Sequence, residues 1–339
     1  MKFDFCIGNP PYQEETADTS DKPVYNNFME AAYSIADKVE MITPARFLFN
    51  AGKTPKAWNE KMLQDEHFKV SFYEQDSSKV FSNTEIKGGV AIHYHDIHRD
   101  YGAIGVFSQY SEMRGITQKI KPFVEKESIS NSMYLQNRFI LDVLYSDYPD
   151  FKQIISSDGK ERRIVSSAFD KLSVFNSCQE TEEDMKILGV VNSNSREYRW
   201  INAKYIEDNG NTYKYKVIVP KVNGAGRLGE TLSAPQILEP NTGYTQSFIG
   251  IGSFNTKSEA EAALKYIKTK FTRTMLSILK ITQDNPPEKW SYVPNQDFGS
   301  DSDIDWSKSV SEIDQQLYKK YGLSQEEIDF IETNVKEME

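Results

Sequence analysis

The stretch Phe3-Asp4-Phe5-Cys6-Ile7-Gly8-Asn9-Pro10-Pro11-Tyr12 decides how the rest of the chain is read. Residues 3–7 alternate as a short strand that stops at Gly8. Two successive prolines then build a stiff turn where the strand ends, and in open α/β sheets ligands bind at the carboxyl ends of strands. Such a turn presents the Asn9 amide oxygen and the Pro10 carbonyl in one direction, with the Tyr12 ring alongside. Two acceptors beside a flat ring suit a planar amine. An Asn-Pro-Pro-Tyr string arises by chance in a chain of this length on the order of once in a thousand.

Working outward, residues 25–36 show helical apolar spacing through Phe28, Ala32 and Ile35, and residues 39–42 form an apolar run that stops at Pro44. Residues 58–63 predict a second helix, and residues 68–73 and 89–94 two further strands. Alternating strand and helix predicts an α/β fold with a mostly parallel sheet. Past Gly105 the pattern changes to short strands, turns and isolated helices. Residues 212–219 alternate, and Asn223-Gly-Ala-Gly226 forms a glycine-bearing loop. Ser258 and Glu261 are spaced as a capping box for one long amphipathic helix, with Ala263, Leu264, Ile267, Phe271, Met275 and Ile278 as its stripe. Near the end a helix stops by Gly322, and Ser324 and Glu327 are spaced as a box for a last helix.

Asn-Pro-Pro-Tyr after an apolar strand resembles the catalytic motif of adenine-N6 DNA methyltransferases. The order of the following segments resembles the gamma class, the TaqI-like methylases of restriction-modification systems. Tyr25-Asn-Asn-Phe28-Met-Glu-Ala-Ala32 is similar to the helix after the catalytic loop, and Met41-Ile-Thr-Pro44-Ala-Arg46-Phe47 to the next strand and its proline turn. Lys79-Val-Phe81 followed by Lys87-Gly-Gly-Val-Ala-Ile92 is similar to the segment that places an aromatic beside the target base. The resemblance covers roughly residues 3–107; beyond them, Trp290-Ser-Tyr-Val-Pro294 and Asp305-Trp306 look like the end of these methylases.

The resemblance implies that a flipped adenine offers its exocyclic amine to Asn9 and Pro10, with Pro11 stiffening the turn. It implies that Tyr12 stacks on the base, that Phe81 touches its edge, and that S-adenosylmethionine supplies the methyl group near Tyr25 and Phe28. No metal is implied. In this class the glycine-rich cofactor loop precedes the catalytic motif, whereas here the motif begins at Asn9. The resemblance therefore implies a truncation, or a subunit whose cofactor-binding half comes from another chain, and an unpaired, partly apolar edge on the first strand.

The expected architecture is a partial Rossmann-like methyltransferase sheet over residues 1–107, a mixed α+β target-recognition domain over 108–300 and a helical tail over 301–339. The formal charge of -10 argues against a general basic coat. Divided along the chain, however, residues 1–110 carry -5, residues 111–300 +2 and residues 301–339 -7. A local double-stranded DNA surface is therefore expected in the middle region, at Arg196, Arg199, Lys214, Lys216, Arg227, Lys268 and Arg273, interleaved with Tyr198, Trp200, Tyr213 and Tyr215. The alternative for those residues is a solvated face of mixed charge.

Several features have blander readings. His93, His95 and His98 read as a solvated strand end rather than a metal site, and Asn285-Pro-Pro-Glu288 as a helix stop. Two cysteines cannot build a disulfide framework, and neither a long apolar span nor a signal core is present, so a cytoplasmic location is expected. The leading expectation is a site-specific adenine-N6 DNA methyltransferase. A catalytically silent DNA-binding specificity module and a protein-glutamine methyltransferase remain as alternatives, and the large downstream region favours DNA.

Overall fold

The computed structural model describes residues 3–14, 22–82, 85–108, 110–155, 159–192, 195–280 and 282–338. The chain divides into two units, Met1–Arg114 and Gly115–Glu339.

The longer elements of the first unit are four strands and two helices. The strands are β1 (Phe3–Gly8), β2 (Ala36–Pro44), β3 (Phe68–Glu74) and β4 (Val90–Asp96); the helices are α1 (Tyr25–Ile35) and α2 (Lys56–Gln64). The sheet order is β1-β2-β4-β3. β1 runs parallel to β2, with Phe3 opposite Ala36 and Gly8 opposite Met41. β4 is antiparallel to both β2 and β3, and Val90 lies opposite Pro44 on one side and Glu74 on the other. The expectation of a mostly parallel sheet is therefore corrected: one of these three pairings is parallel. Among the described residues of 75–89 no crossover helix separates β3 from β4, and such a connection gives antiparallel neighbours.

α1 buries Tyr25, Met29 and Ala32, one face at helical spacing, and these pack with Val39, Phe47, Met62, Phe68 and Ala91 into the core of the unit. Among the described residues β1 has no strand on its other edge, and Phe3, Phe5 and Ile7, which share one face of it, are 53%, 44% and 73% exposed.

The histidine segment is a second correction. His93 is fully buried and His95 nearly so, because alternate residues of β4 point into the core; only His98 lies at the surface. His93 Nε2 lies 3.2 Å from the Thr43 hydroxyl, and its Nδ1 has no hydrogen-bond partner. His95 Nε2 lies 3.2 Å from an Asp65 carboxylate oxygen, and its ring stacks on Tyr33 at 4.3 Å. No group of three metal-ligating side chains occurs among the described residues.

In the second unit the longer strands are β5 (Asp184–Val191), β6 (Ser195–Asn202), β7 (Tyr215–Pro220), β8 (Gln236–Leu238), β9 (Thr242–Tyr244) and β10 (Phe248–Phe254). They form one sheet of order β6-β5-β9 and another of order β8-β7-β10, which Met133–Tyr134 extends beyond β10. Four helices follow: α3 (Lys257–Lys268), α4 (Lys270–Leu279), α5 (Val310–Lys320) and α6 (Gln325–Asn334). The single long helix expected here is broken at Thr269. Its hydroxyl donates to the Tyr266 carbonyl behind it and accepts from the Thr272 amide ahead, so one residue closes α3 and caps α4. The capping box that opens α3 is Thr256 with Glu259, two residues earlier than expected, whereas Ser324 and Glu327 do form the box of α6. Residues 301–339 are packed into this unit: Asp314 of α5 accepts from the amides of Lys270 and Phe271, and Lys270 pairs with Glu332 of α6. No helix among the described residues is long and apolar enough to cross a membrane.

Burial holds the His93 imidazole neutral and pulls its pKa down to about 3. The unfolded chain, with an imidazole pKa near 6.5, binds a proton that the folded chain refuses between these values, so the stabilising difference present above pH ~6.5 is lost as pH falls toward ~3. Urea unfolding of the first unit, followed from pH 7 to pH 4, should show a falling midpoint. His93→Phe should flatten that fall by up to about 1.4 kcal/mol per pH unit; an unchanged pH slope would place the linkage elsewhere.

Candidate active site

The sheet of the first unit gathers three chain segments at one end, the last of them, residues 75–89, entering and leaving there. β1 and β2, being parallel, both deliver their carboxyl ends there, which places residues 9–12 and the turn after Pro44 together. The antiparallel register adds the loop that leaves Glu74 and enters Val90. Between them lies a cleft of about 900 Å³ lined by Asn9, Pro10, Pro11, Tyr12, Tyr25 and Phe81, with Arg46, Lys53, Glu85 and Lys87 among the charged residues on its walls.

Asn9 is exposed and Pro10 buried, so the turn offers its polar end to the cleft while its stiff centre is packed. The Tyr12 carbonyl accepts from the Val24 amide at 3.2 Å, and a two-residue ladder, Gln13 opposite Pro23 and Glu14 opposite Lys22, continues from it. This clamps the chain directly after the motif. The Tyr12 ring meets Phe81 edge to face, 6.3 Å between centroids. Its hydroxyl is buried with no hydrogen-bond partner among the described residues, and burial raises its pKa. Tyr25 packs on Phe47 and Trp58, and burial pushes its hydroxyl up to about 12, although Thr54 and Arg46 pull the other way. Phe28, expected beside the cofactor, is 46% exposed and does not line the cleft.

Ser77 positions Phe81, and no motif singled it out. Its carbonyl accepts from the amides of Val80 and Phe81, and its hydroxyl accepts from the Ile86 amide at 2.8 Å. A buried serine thus ties both ends of the aromatic-bearing loop. The signal in the sequence was the turn-forming Asp76-Ser77-Ser78, in which Asp76 accepts from the Ser78 amide. At the other end, Gly89 has φ +78°, and a Cβ there would lie 2.3 Å from the Glu74 carbonyl oxygen. Only glycine lets these two segments approach so closely.

The basic residues expected on a DNA surface divide into two groups. Lys216 and Arg273 are corrections, being 0% and 1% exposed. Lys216 lies in β7, and its Nζ donates to the carbonyls of Asn211, Thr212, Lys214 and Glu239; burial pulls its pKa down to about 7. Arg273 donates to the carbonyls of Lys268, Gly229 and Lys336, joining α4 to the end of the chain. Both cations spend their donors on backbone that would otherwise be buried unpaired, and neither can reach a phosphate. The others lie at least partly in solvent. Arg196 bonds Gln236 and the Ser233 carbonyl, Arg199 pairs with Glu197, Lys214 donates to Asn255, Arg227 is exposed and Lys268 half-buried.

Comparison with known proteins gives matches to a sequence family, a curated relative and a solved structure. Residues 1–81 match the sequence family described as Eco57I restriction-modification methylase. A 95-residue stretch is 34% identical to an uncharacterized adenine-specific methylase of Mycoplasma pneumoniae, covering 26% of this chain and 22% of that protein. The chain thus spans under a quarter of the length of this curated relative. Among solved structures, a complex of the Type IIL restriction-modification enzyme MmeI with DNA aligns over 97% of this chain and 56% of that one, at 10% identity and a TM-score of 0.44.

Two substitutions test these local arrangements. Lys216→Met should destabilise the second unit by roughly 1–3 kcal/mol in a denaturant titration, because it strands buried carbonyls; a neutral result would show that the carbonyls find other donors. Ser77→Ala should speed trypsin cleavage at Lys79 and Lys87 several-fold while leaving the melting of the second unit unchanged, since it releases only the loop. Equal cleavage rates would remove Ser77 from that role.

Proposed function

We propose that this chain carries the target-base site of an adenine-N6 DNA methyltransferase of a restriction-modification system. The observation that carries the reading is the convergence of Asn9, Pro10, Tyr12 and Phe81 on one cleft at the carboxyl end of β1. The match of residues 1–81 and the named methylase relative support it.

In this reading the base leaves the duplex at a cost of a few kcal/mol and enters the cleft. The Asn9 amide oxygen and the Pro10 carbonyl accept from its exocyclic amine, which draws the lone pair out of conjugation with the ring. Tyr12 supplies the stacking face, and Phe81, held edge-on to it, limits how far the base can slide. These groups are neutral acceptors and rings, so placement and preorganised dipoles rather than a strong base carry the rate.

S-adenosylmethionine is the methyl donor in this reading. The described lining of the cleft does not form a nucleoside pocket for it. One carboxylate, the exposed Glu85, is present, and the glycines of the cleft walls lie beside Arg46 rather than in a turn opening a helix. Donor binding is therefore not assigned to particular residues. The exposed cations of the second unit, among them Arg227 and Lys214, are proposed to hold duplex DNA.

Transfer of labelled methyl to adenine in DNA by the complete enzyme should fall at least about 100-fold in Asn9→Ala, which removes an amine acceptor. Tyr12→Ala should lose roughly tenfold or more, which is the scale of one base stack. Full transfer in both variants would overturn the site. Labelling of a protein glutamine with DNA untouched would overturn the substrate.

A further inference from the structure

Arg46 stands directly after the turn that ends β2, on the wall of the cleft that holds Asn9, Tyr12 and Phe81. Its stem is held between two glycines. A Cβ at Gly88 would lie 2.5 Å from Arg46 Cγ, and one at Gly52 would lie 3.3 Å from Arg46 Cβ. Both glycines have positive φ, +89° and +94°, so the two loops reach the arginine stem in backbone conformations that other residues rarely adopt.

The guanidinium beyond this grip is in solvent and makes no hydrogen bond or ion pair among the described residues. Lys61 and Lys79 of the same unit, by contrast, pair with Glu30 and Glu74. Among the described residues the walls of the cleft also carry Lys53 and Lys87 and one carboxylate, Glu85, in a stretch, residues 1–110, whose own charge is -5. A fixed stem, an unused planar donor fork and a locally positive wall together describe a waiting anion site.

We propose that Arg46 anchors a backbone phosphate of the DNA strand whose adenine occupies the cleft. This rests on the DNA reading above and adds to it the group that holds the extruded nucleotide by its phosphodiester, while Asn9 and Pro10 hold its base. A guanidinium fits two phosphate oxygens at once, and its restricted stem lowers the entropy lost when it binds.

The test is binding of the full chain to a duplex in which one adenine faces an abasic site, measured across a salt series. Arg46→Gln should weaken binding about tenfold at low salt and reduce the slope of log K against log salt by about 0.9. Arg46→Lys, which keeps the charge but not the fork, should retain the slope while losing affinity. Equal melting temperatures are expected, because the guanidinium is exposed. An unchanged slope in Arg46→Gln overturns the assignment, and so does a loss confined to S-adenosylmethionine affinity. Absence of measurable binding by the unaltered chain is a different result: it overturns the DNA reading, and the anchor with it.

Discussion

The parallel pairing of β1 with β2 is the constraint on which the site depends. Because the two strands run the same way, Gly8 and Pro44 release the chain at the same end of the sheet. Had β1 been antiparallel to its neighbour, the Asn-Pro-Pro-Tyr turn would open on the opposite end from Arg46, Phe81 and Lys87. Insertion of β4 between β2 and β3 completes the arrangement, since Val90 is in register with both Pro44 and Glu74. Three loops from separate parts of the sequence thereby share one wall. The cleft follows from strand direction, and the side chains are then chosen to suit it.

What the loops bring is chemically sparse. The groups facing the cleft from the motif and from Phe81 are an amide, a carbonyl and two rings; of the shifted groups, Tyr25 stands on the cleft wall and His93 lies away from it. His93 is driven neutral by its burial in the core, and Tyr25 is driven up by packing against Phe47 and Trp58. The His93 shift marks where the unit is dry, not where it reacts. A strongly shifted group marks a candidate reactive site when a cleft reaches it, and none reaches His93.

The motif at residues 9–12 was legible because its message is local. Prolines fix a turn whatever surrounds them, and the strand before it sets which end of a sheet it occupies. The helices α1 and α2 were legible for the same reason, through apolar spacing. Strand direction was not, since alternation is identical in parallel and antiparallel pairs. Nor was the fate of the basic residues. Lys216 sits among Val217, Ile218 and Val219 in a central strand, and a count of charge along the chain cannot show that its ammonium is turned inward onto carbonyls. Arg273 stands on the face opposite the apolar stripe of Phe271 and Met275, and the helix is buried on that side too, which the one-sided pattern does not show. The long helix was read as continuous because its stripe continues across Thr269; the break comes from one hydroxyl with two hydrogen bonds, which periodicity does not register. Ser77 and Arg46 lie within or beside the segments singled out, but Ser77 acts through hydrogen bonds to Phe81 and Ile86, and Arg46 through close approach of Gly52 and Gly88, neither of which periodicity or motif spacing registers.

Lys216 and Lys280 share a property with a use of its own. Each amine is enclosed, the first by four carbonyls and the second by the carbonyls of Asn223 and Thr282 and the carboxylate of Glu230. Amine-directed reagents, which label surface lysines at once, reach these two only when the strands and loops around them come apart. They are thus built-in reporters of the integrity of the second unit, readable by mass spectrometry without any engineered probe and silent for as long as that unit remains folded.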